Sequence, residues 1–208
     1  MLSCKTKFFT VPLQTYYSVL DQFLKDNNLS LTQDELKKFI SYFTVEKFKK
    51  KEHLVVVGQN SSNYFVLQGG LRMYYIDEKE QEYNLKFAFE GWWLGDIVSY
   101  IDLTGAEYLV QAMEETIVIG ITRKSQFEMF EEFPQVKDVY ISELERALVW
   151  TFQRILDSTK NTANERFLNF MKTYPNFINR ISDANIASFI GVSPEYYSKL
   201  KKTYLLKG

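Results

Sequence analysis

The sequence predicts an α+β protein with an antiparallel β-roll, then a long helix, then a helix-turn-helix domain. Short β-type runs bounded by glycines lie between residues 53 and 121. A run without glycine or proline follows Pro134 and has the apolar spacing of a helix. Three short helical patterns fill the end of the chain, with Gly191 between the last two. We expect three parts: helices and β-roll at 1–135, a long helix at 136–160, and a helix-turn-helix domain at 161–208.

The cysteine and histidine counts limit the chemistry open to this chain of 208 residues. Its apolar fraction of 46% and charged fraction of 25% are those of an ordinary globular protein. The single cysteine, Cys4, excludes an intramolecular disulfide, a cysteine-ligated iron–sulfur cluster and a zinc finger. The single histidine, His53, excludes sites that need two imidazoles. We interpret Cys4 as a bystander near the terminus and His53 as a surface residue, and we expect no metal or other cofactor.

The sequence favours a cytoplasmic protein that does not bind membranes. No apolar run reaches the roughly 18–20 residues that span a bilayer. The N-terminal segment MLSCKTKFFTVPLQTYY lacks an apolar stretch followed by a small-residue cleavage site. A chain with one cysteine also fits a reducing compartment.

Helices and strands are predicted in turn along the first part of the chain. Residues 13–27 and 32–43 have amphipathic helical spacing, and Thr32 with Glu35 forms the pattern of a capping box. The strand-like runs are HLVVV, NYFVLQ, LRMYYI, YNLKFAF, YLVQA and TIVIGI, and the polar segment IDEKEQEY joins two of them as a hairpin. Many short strands at regular spacing indicate a small antiparallel roll or barrel.

The long helix carries a continuous apolar stripe. Its members are spaced 3, 4, 4 and 3 residues apart and are Ile141, Leu144, Leu148, Phe152 and Ile155. The stripe could pack on the chain's own β-roll. We favour a two-helix dimer interface, because about four turns of stripe are longer than the flank of a small barrel.

A helix-turn-helix pattern runs from Asp183 to Lys202. Such a motif needs a small residue where its helices cross, here Ala187, and a residue tolerant of positive φ in the turn, here Gly191. The positions expected to be buried are all apolar: Ile186, Ile190, Val192, Tyr197 and Leu200.

The second helix of this motif begins with favourable residues and has a polar outer face. Ser193 suits the N-cap, Pro194 the first position and Glu195 the first turn. The predicted DNA-contacting residues are Ser193, Pro194, Glu195, Ser198, Lys199, Lys201 and Lys202. Glu195 can accept a hydrogen bond from cytosine N4, whereas the lysines suit guanine or phosphate. The alternative is an ordinary αα-hairpin with a solvated lysine face.

Charge is unevenly distributed between the ends of the chain. Residues 161–208 hold seven Lys and Arg against three Asp and Glu, a net charge of +4. The other 160 residues hold 18 of the 25 bases and 23 of the 26 acids, a net charge of −5. A basic C-terminal module is suited to a polyanion such as DNA.

The sequence resembles the cyclic-AMP receptor protein/Fnr (CRP/FNR) superfamily of bacterial transcription regulators from about Leu31 to Lys202. Three segments carry the resemblance in family order: YFVLQGGLRMYYIDE (64–78), FAFEGWWLGDIVSY (87–100) and IASFIGVSPEYYSKLKK (186–202). The EGWWLGD segment resembles a branch common in Bacteroidetes-type genomes. The resemblance implies a β-roll like a cyclic-nucleotide-binding domain, a dimerisation helix at 136–160 and a DNA-binding domain. It implies double-stranded DNA, a second copy of the chain and RNA polymerase as partners. The β-hairpin wing that many members have beside the motif is expected to be short or missing.

The resemblance also locates an effector pocket. Members that bind cyclic nucleotides hold the phosphate with a short helix after Gly-Glu and with an Arg-Ser or Arg-Thr pair. The corresponding residues here are Gly95, Asp96 and Ile97, with Ala106 and Glu107 in place of the pair. A carboxylate in place of a guanidinium would repel phosphate, so we do not expect cyclic AMP to bind. Two possibilities remain: the protein binds an unknown small molecule as its effector, or it has no effector. The aromatic residues Trp92, Trp93 and Tyr100 could line a pocket or serve as packing.

Two other classes of function fit parts of the sequence. A cupin-like metalloenzyme shares the β-roll, but it needs clustered histidine and carboxylate ligands. A triad would have to use His53 alone, so we expect no enzyme. The second is a module that binds small molecules or proteins and has a degenerate DNA domain, which the basic C-terminal part disfavours.

Overall fold

The computed structural model describes residues 14–205; Cys4 and most of the N-terminal segment lie outside them. The described chain divides into two compact units, 14–73 with 87–141 and 74–86 with 142–205. The division falls inside the long helix and groups a hairpin with the C-terminal helices. The expected boundaries at 135 and 160 stay a prediction.

Eight helices and eight strands are assigned within the described residues. The helices are α1 (Gln14–Asp26), α2 (Gln33–Ile40), α3 (Ile97–Asp102), α4 (Arg123–Glu132), α5 (Val136–Lys160), α6 (Ala163–Thr173), α7 (Asp183–Ile190) and α8 (Pro194–Leu205). The strands are β1 (Thr44–Phe48), β2 (His53–Val55), β3 (Asn63–Gln68), β4 (Leu71–Ile76), β5 (Glu82–Ala88), β6 (Trp93–Leu94), β7 (Leu109–Ala112) and β8 (Thr116–Ile121). A 3-10 turn at Ile178–Arg180 precedes α7.

The strands form two four-stranded sheets in the orders β1-β8-β3-β6 and β2-β7-β4-β5. Strand β8 pairs antiparallel with both β1 and β3, so Gly120 lies opposite Thr44 on one side and Tyr64 on the other. A Cβ atom at Gly120 would come within 2.9 Å of the Tyr64 ring, which explains a glycine in the middle of this strand. The predicted α+β class, with an antiparallel β-roll followed by helices, is confirmed.

All six residues of β8 are buried, because this sheet is covered on both faces. One face joins a core with helices α1, α2 and α4, to which Ile117, Ile119 and Ile121 contribute. The other face joins a second core, to which Val118 contributes with residues of both sheets. Burial on both faces produces the unbroken apolar run TIVIGI, where a strand covered on one face would alternate.

Local sequence signals located several elements correctly. Strands β3, β4 and β8 coincide with the runs NYFVLQ, LRMYYI and TIVIGI. The Thr32 side chain accepts from the Glu35 backbone while the Glu35 carboxylate accepts from Thr32, so the predicted capping box is present. At the hairpin between β4 and β5, Asp77 Oδ1 accepts the backbone N–H groups of Lys79 and Gln81, each over 2.9 Å.

Three elements were not predicted. Strand β1 has mostly solvent-accessible residues and contains two charged ones, Glu46 and Lys47, so it lacks the apolar run that marks a buried strand. Strand β6 has two residues. Helix α4 buries Gln126, Met129 and Phe130, a stripe too short and too polar to show a clear period.

Between β8 and the end of the described residues at 205, the structure contains no strand. The segment expected to be a shortened wing contains the 3-10 turn at Ile178–Arg180. The described residues after β8 therefore contribute no β-hairpin wing to the helix-turn-helix motif.

Candidate nucleic-acid interface and effector-type site

Helix α7 begins and ends with well-defined caps. The Ser182 hydroxyl accepts the Asn185 N–H over 3.2 Å at the N-terminus. At the other end Gly191 has φ +70°, a conformation that disfavours residues with a side chain. The N–H of Gly191 donates to Ser188 O and that of Val192 to Ala187 O, the pattern of a Schellman motif. The glycine therefore sets the turn at the predicted position.

Helix α8 begins directly after this turn. The Ser193 hydroxyl accepts the Tyr196 N–H over 3.2 Å, and Pro194 occupies the first helical position. The Tyr197 ring packs edge-on against Phe167, with 5.9 Å between centroids. Burial, with a smaller effect of the Asp183 carboxylate, raises the pKa of Tyr197 to about 12.

The apolar positions predicted for the motif are confirmed in part. Ile186, Ala187, Ile190 and Tyr197 are buried. Val192 and Leu200 are half-buried. The helices thus meet over a small apolar interface closed by Ala187.

The polar face of α8 is open to solvent. Its exposed members are Ser193, Pro194, Glu195, Ser198, Lys199 and Lys202. Hydrogen bonds from its own backbone N–H and from the Ser193 hydroxyl lower the pKa of Glu195. Glu195 is therefore an ionised acceptor at the start of the helix, flanked one turn later by Lys199.

Lys201 has a partner inside the chain. Its Nζ lies 2.8 Å from Asp183 Oδ1 and 3.1 Å from Oδ2, which links α8 to the first turn of α7. Any phosphate contact by Lys201 must compete with this carboxylate. Its role in DNA binding stays a prediction, and Lys199 and Lys202 are the more exposed cations on this helix.

The predicted effector residues form a closed hydrogen-bonded cluster around Asp96. Its side chain is 1% exposed. Oδ1 accepts the Ser99 N–H over 3.1 Å, and Oδ2 accepts the N–H groups of Glu107 and Tyr108 over 2.9 and 3.2 Å. Gly95 precedes Asp96 at the N-cap, and Ile97 begins α3. The backbone donors at this position therefore bind a carboxylate of the chain itself.

Ala106 and Glu107, which are predicted to stand at the positions of an Arg-Ser pair, have different surroundings. Ala106 is buried, its N–H donates to Gln59 O, and its carbonyl accepts from the Gly58 N–H, both over 2.8 Å. Glu107 is exposed. No guanidinium is supplied by either position.

The aromatic candidates and His53 serve mainly as packing or surface residues. Trp93 packs against Phe65 with 5.1 Å between centroids, whereas Trp92 packs on the core between the sheets. Tyr100 is fully buried, and burial raises the pKa of its hydroxyl. His53 is exposed, as predicted, at 3.3 Å from the Gln111 amide.

The stripe on α5 is exposed in the single chain. Its five residues, Ile141, Leu144, Leu148, Phe152 and Ile155, are between 38% and 60% exposed. Two apolar residues that the stripe omitted, Val149 and Leu156, are each 57% exposed on a neighbouring row. The helix therefore presents a broader apolar face than the sequence analysis predicted, and no residue of the described chain covers it.

The described residues lack two other types of feature. No group of three or more His, Cys, Asp or Glu side chains in this part of the chain could hold a metal ion. No helix here has both the length and the apolar character needed to cross a bilayer.

Comparison with known proteins identifies the fold. No protein-family model matches the chain, and no curated protein matches its sequence. Among solved structures, the c-di-GMP responsive global regulator CLP of Xanthomonas campestris superposes with a TM-score of 0.69 at 13% identity, over 85% of this chain and 93% of that one. FixK2 from Bradyrhizobium japonicum gives a TM-score of 0.68 at 18% identity, over 80% and 86%. A CRP/FNR-family transcriptional regulator from Thermus thermophilus gives 0.62 at 16% identity, over 79% and 87%. At these identities the likeness shows a shared fold.

Proposed function

We propose that the protein is a DNA-binding transcription regulator of the CRP/FNR type, which reads a symmetric operator as a homodimer. The observation that carries the proposal is the arrangement of α7, Gly191 and α8. The turn at Gly191 ends α7, and the α8 helix that follows has a short polar face open to solvent. This face includes two exposed lysines, Lys199 and Lys202. Regulators among the solved structures of the same fold support it. As a transcription regulator it would work with RNA polymerase, in the cytoplasmic location that the sequence favours.

The exposed face of α8 has the chemistry of a major-groove reader. Its N-terminal residues approach base edges most closely, and there Glu195 can accept from cytosine N4. Lys199 lies four residues further along, so it can orient the Glu195 carboxylate and contact a base. Lys202 lies near the C-terminal end, where a cation suits a phosphate.

Dimerisation supplies the second recognition helix. A symmetric operator is read by two helices about 34 Å apart, which requires a two-fold dimer. The exposed apolar face of α5 provides the interface, because complete burial of each Leu, Ile or Phe contributes about 1.5–3 kcal/mol. The dimer contacts would run through Ile141, Leu144, Leu148, Phe152 and Ile155.

The effector-type site is not suited to a cyclic nucleotide. The Asp96 carboxylate already binds the N–H groups of Ser99, Glu107 and Tyr108, so these three donors are not free for an anion. A phosphate about 4 Å from this carboxylate would be repelled by about 4 kcal/mol at an effective dielectric constant of 20. The protein therefore responds to a different small molecule or acts without one.

One observation favours a second function, a module that binds a small molecule or a protein and has a degenerate DNA domain. Lys201 is paired with Asp183, which reduces the positive charge offered by α8. Binding to duplex DNA separates the two functions, because the second predicts none beyond weak charge attraction.

The experiment measures the affinity of the purified chain for a mixed-sequence DNA duplex as a function of salt. Removing the two exposed lysines of α8 in the variant Lys199→Ala/Lys202→Ala should reduce the slope of log affinity against log salt by about one, the change expected for the phosphate contact of Lys202. The control Lys124→Ala/Lys137→Ala removes two exposed lysines from other helices and should leave the slope unchanged. Absence of binding at low salt, or equal slopes for both double variants, would contradict the proposal.

A further inference from the structure

We infer that Arg154 and Arg166 are positioning residues for DNA reading: they fix the recognition helix to α5 and α6 and do not contact phosphate. The inference rests on the proposed DNA binding and adds residues that neither the stripe nor the helix-turn-helix pattern identifies. Arg166 also counts among the bases of the C-terminal region, where composition alone would assign it to DNA.

Arg166 of α6 holds the end of α7. Its Nε donates to Ile190 O over 2.7 Å, and its Nη2 lies 3.5 Å from Gly191 O. A third donor, Nη1, binds Asn161 O over 2.8 Å, in the segment that joins α5 to α6. One planar guanidinium thus connects the C-terminal end of α7, through the carbonyls of Ile190 and Gly191, to the segment between α5 and α6, through the carbonyl of Asn161.

Arg154 of α5 holds the preceding residue. Its Nη2 donates to Phe189 O over 2.9 Å, and its guanidinium carbon lies 3.9 Å from the centre of the Phe189 ring. The cation therefore makes a hydrogen bond and a cation–π contact to the same residue. Arg154 is half-buried, and this burial lowers the pKa of its guanidinium, an effect that the Asp157 carboxylate partly opposes.

Together these contacts account for the carbonyls in the last turn of α7 and for that of Gly191, which follows it. Ala187 O and Ser188 O accept from Val192 and Gly191 in the Schellman turn. The next three carbonyls, at 189, 190 and 191, accept from the two arginines. The C-terminal carbonyls of a helix lack partners in the helix and carry partial negative charge, so cations placed there stabilise the turn.

The turn determines the direction of α8. Only Val192 separates Gly191 from Ser193, the N-cap of the recognition helix. Arg154 lies on α5 between Phe152 and Ile155 of the exposed apolar stripe, on another face of the same helix. In a dimer formed through that stripe, α5 would form the dimer interface. Arg154 therefore fixes the orientation of each recognition helix relative to that interface. This makes it a determinant of half-site spacing.

The test uses Arg154→Met and Arg166→Met, which keep much of the apolar stem and remove the donors. Lys172→Met, an exposed residue on α6, is the matched control, and Lys202→Ala is the reference for a phosphate contact. Binding is measured against salt on an operator selected from random DNA, on unrelated DNA, and on operators whose half-sites are one base pair closer or further apart. All measurements are made where circular dichroism shows each variant to be folded.

Both arginine variants should lose specific affinity by about tenfold or more, as expected for loss of a hydrogen bond from a charged donor. Their salt slopes and their affinity for unrelated DNA should match those of Lys172→Met. Arg154→Met should also tolerate altered half-site spacing better than the wild type does. If a methionine variant does not fold, Arg166→Lys and Arg154→Lys replace it, and these should recover only part of the specific affinity because the planar fork is lost.

Three results would overturn the inference while leaving the proposed function intact. The first is a slope lower by about one unit for either arginine variant, as for Lys202→Ala, which would identify a phosphate contact. The second is unchanged specific affinity of the folded variants. The third is full recovery of the specific affinity in Arg166→Lys and Arg154→Lys. A wild-type chain that binds no DNA would instead remove the proposed function and this inference with it.

Discussion

The hydroxyl of Ser188 in α7 accepts a hydrogen bond from the backbone N–H of Asn84 over 3.0 Å. The same hydroxyl donates to Glu82 O over 2.7 Å. Asn84 and Glu82 belong to β5, which is the last strand in its sheet order and therefore has an open edge. One side chain of the helix-turn-helix motif thus binds both a donor and an acceptor of an edge strand.

Replacing this hydroxyl should destabilise the unit that contains 74–86 and 142–205. Asn84 is 3% exposed, so its N–H cannot readily exchange Ser188 for water. We expect Ser188→Ala to reduce the free energy of unfolding by about 1–3 kcal/mol in urea denaturation. The control Ser158→Ala removes a hydroxyl that binds Ile155 O of its own helix and should change stability by less than about 0.5 kcal/mol. Equal stability of the two variants would show that the contact contributes nothing.

A charge in the apolar face of α5 should prevent dimerisation. Leu148 lies at the middle of the stripe and is 57% exposed in the single chain. Leu148→Asp would bury a carboxylate without a partner in the dimer, so sedimentation should show a monomer. Gln153→Asp adds the same charge on another face of the helix and should remain dimeric. A monomeric wild type at micromolar concentration would contradict the assignment of this interface.

Cyclic AMP should neither bind the wild-type protein in calorimetry nor change its affinity for DNA. The reason is that the buried Asp96 carboxylate binds the backbone donors of the site, and Ala106 and Glu107 supply no guanidinium. Micromolar binding would show that the nucleotide uses other donors or displaces Asp96.

Base reading and phosphate binding on α8 can be separated by two substitutions. Glu195→Ala should relax specificity by about 1–3 kcal/mol at one base pair in each half-site. Lys202→Ala should weaken binding to all sequences alike and reduce the salt slope by about one. Competition binding against a set of point-substituted operators measures both. Tighter binding of Glu195→Ala to every sequence, with unchanged preferences, would show that Glu195 is only a repelled surface charge.

Local patterns in the sequence predicted the elements whose burial is regular. The runs that became β3, β4 and β8, the caps at Thr32 and Ser193, and the turn at Gly191 all follow from spacing within a few residues. The pattern of Thr162 and Glu165 is a second capping box that the same rule would have found. Strand β1 was missed because an exposed strand has no apolar period to detect.

Contacts between residues distant in sequence could not be predicted in this way. The pairing of Lys201 with Asp183 spans 18 residues and the contact of Ser188 with Asn84 spans 104. The positions of Arg154 and Arg166 likewise depend on how three helices meet. A charge count treats Lys201 and Arg166 as free cations, whereas the structure gives both of them acceptors within the chain.

The central claim is that two copies of the α8 face read a symmetric DNA site. Selection from a random duplex library with the purified wild-type chain, followed by sequencing, tests it most directly. We expect enrichment of an inverted repeat whose half-site centres lie about one helical turn, 10–10.5 base pairs, or a multiple of it, apart. Leu148→Asp should fail to enrich the repeat. Recovery of no preferred sequence, or of a single half-site without symmetry, would contradict it.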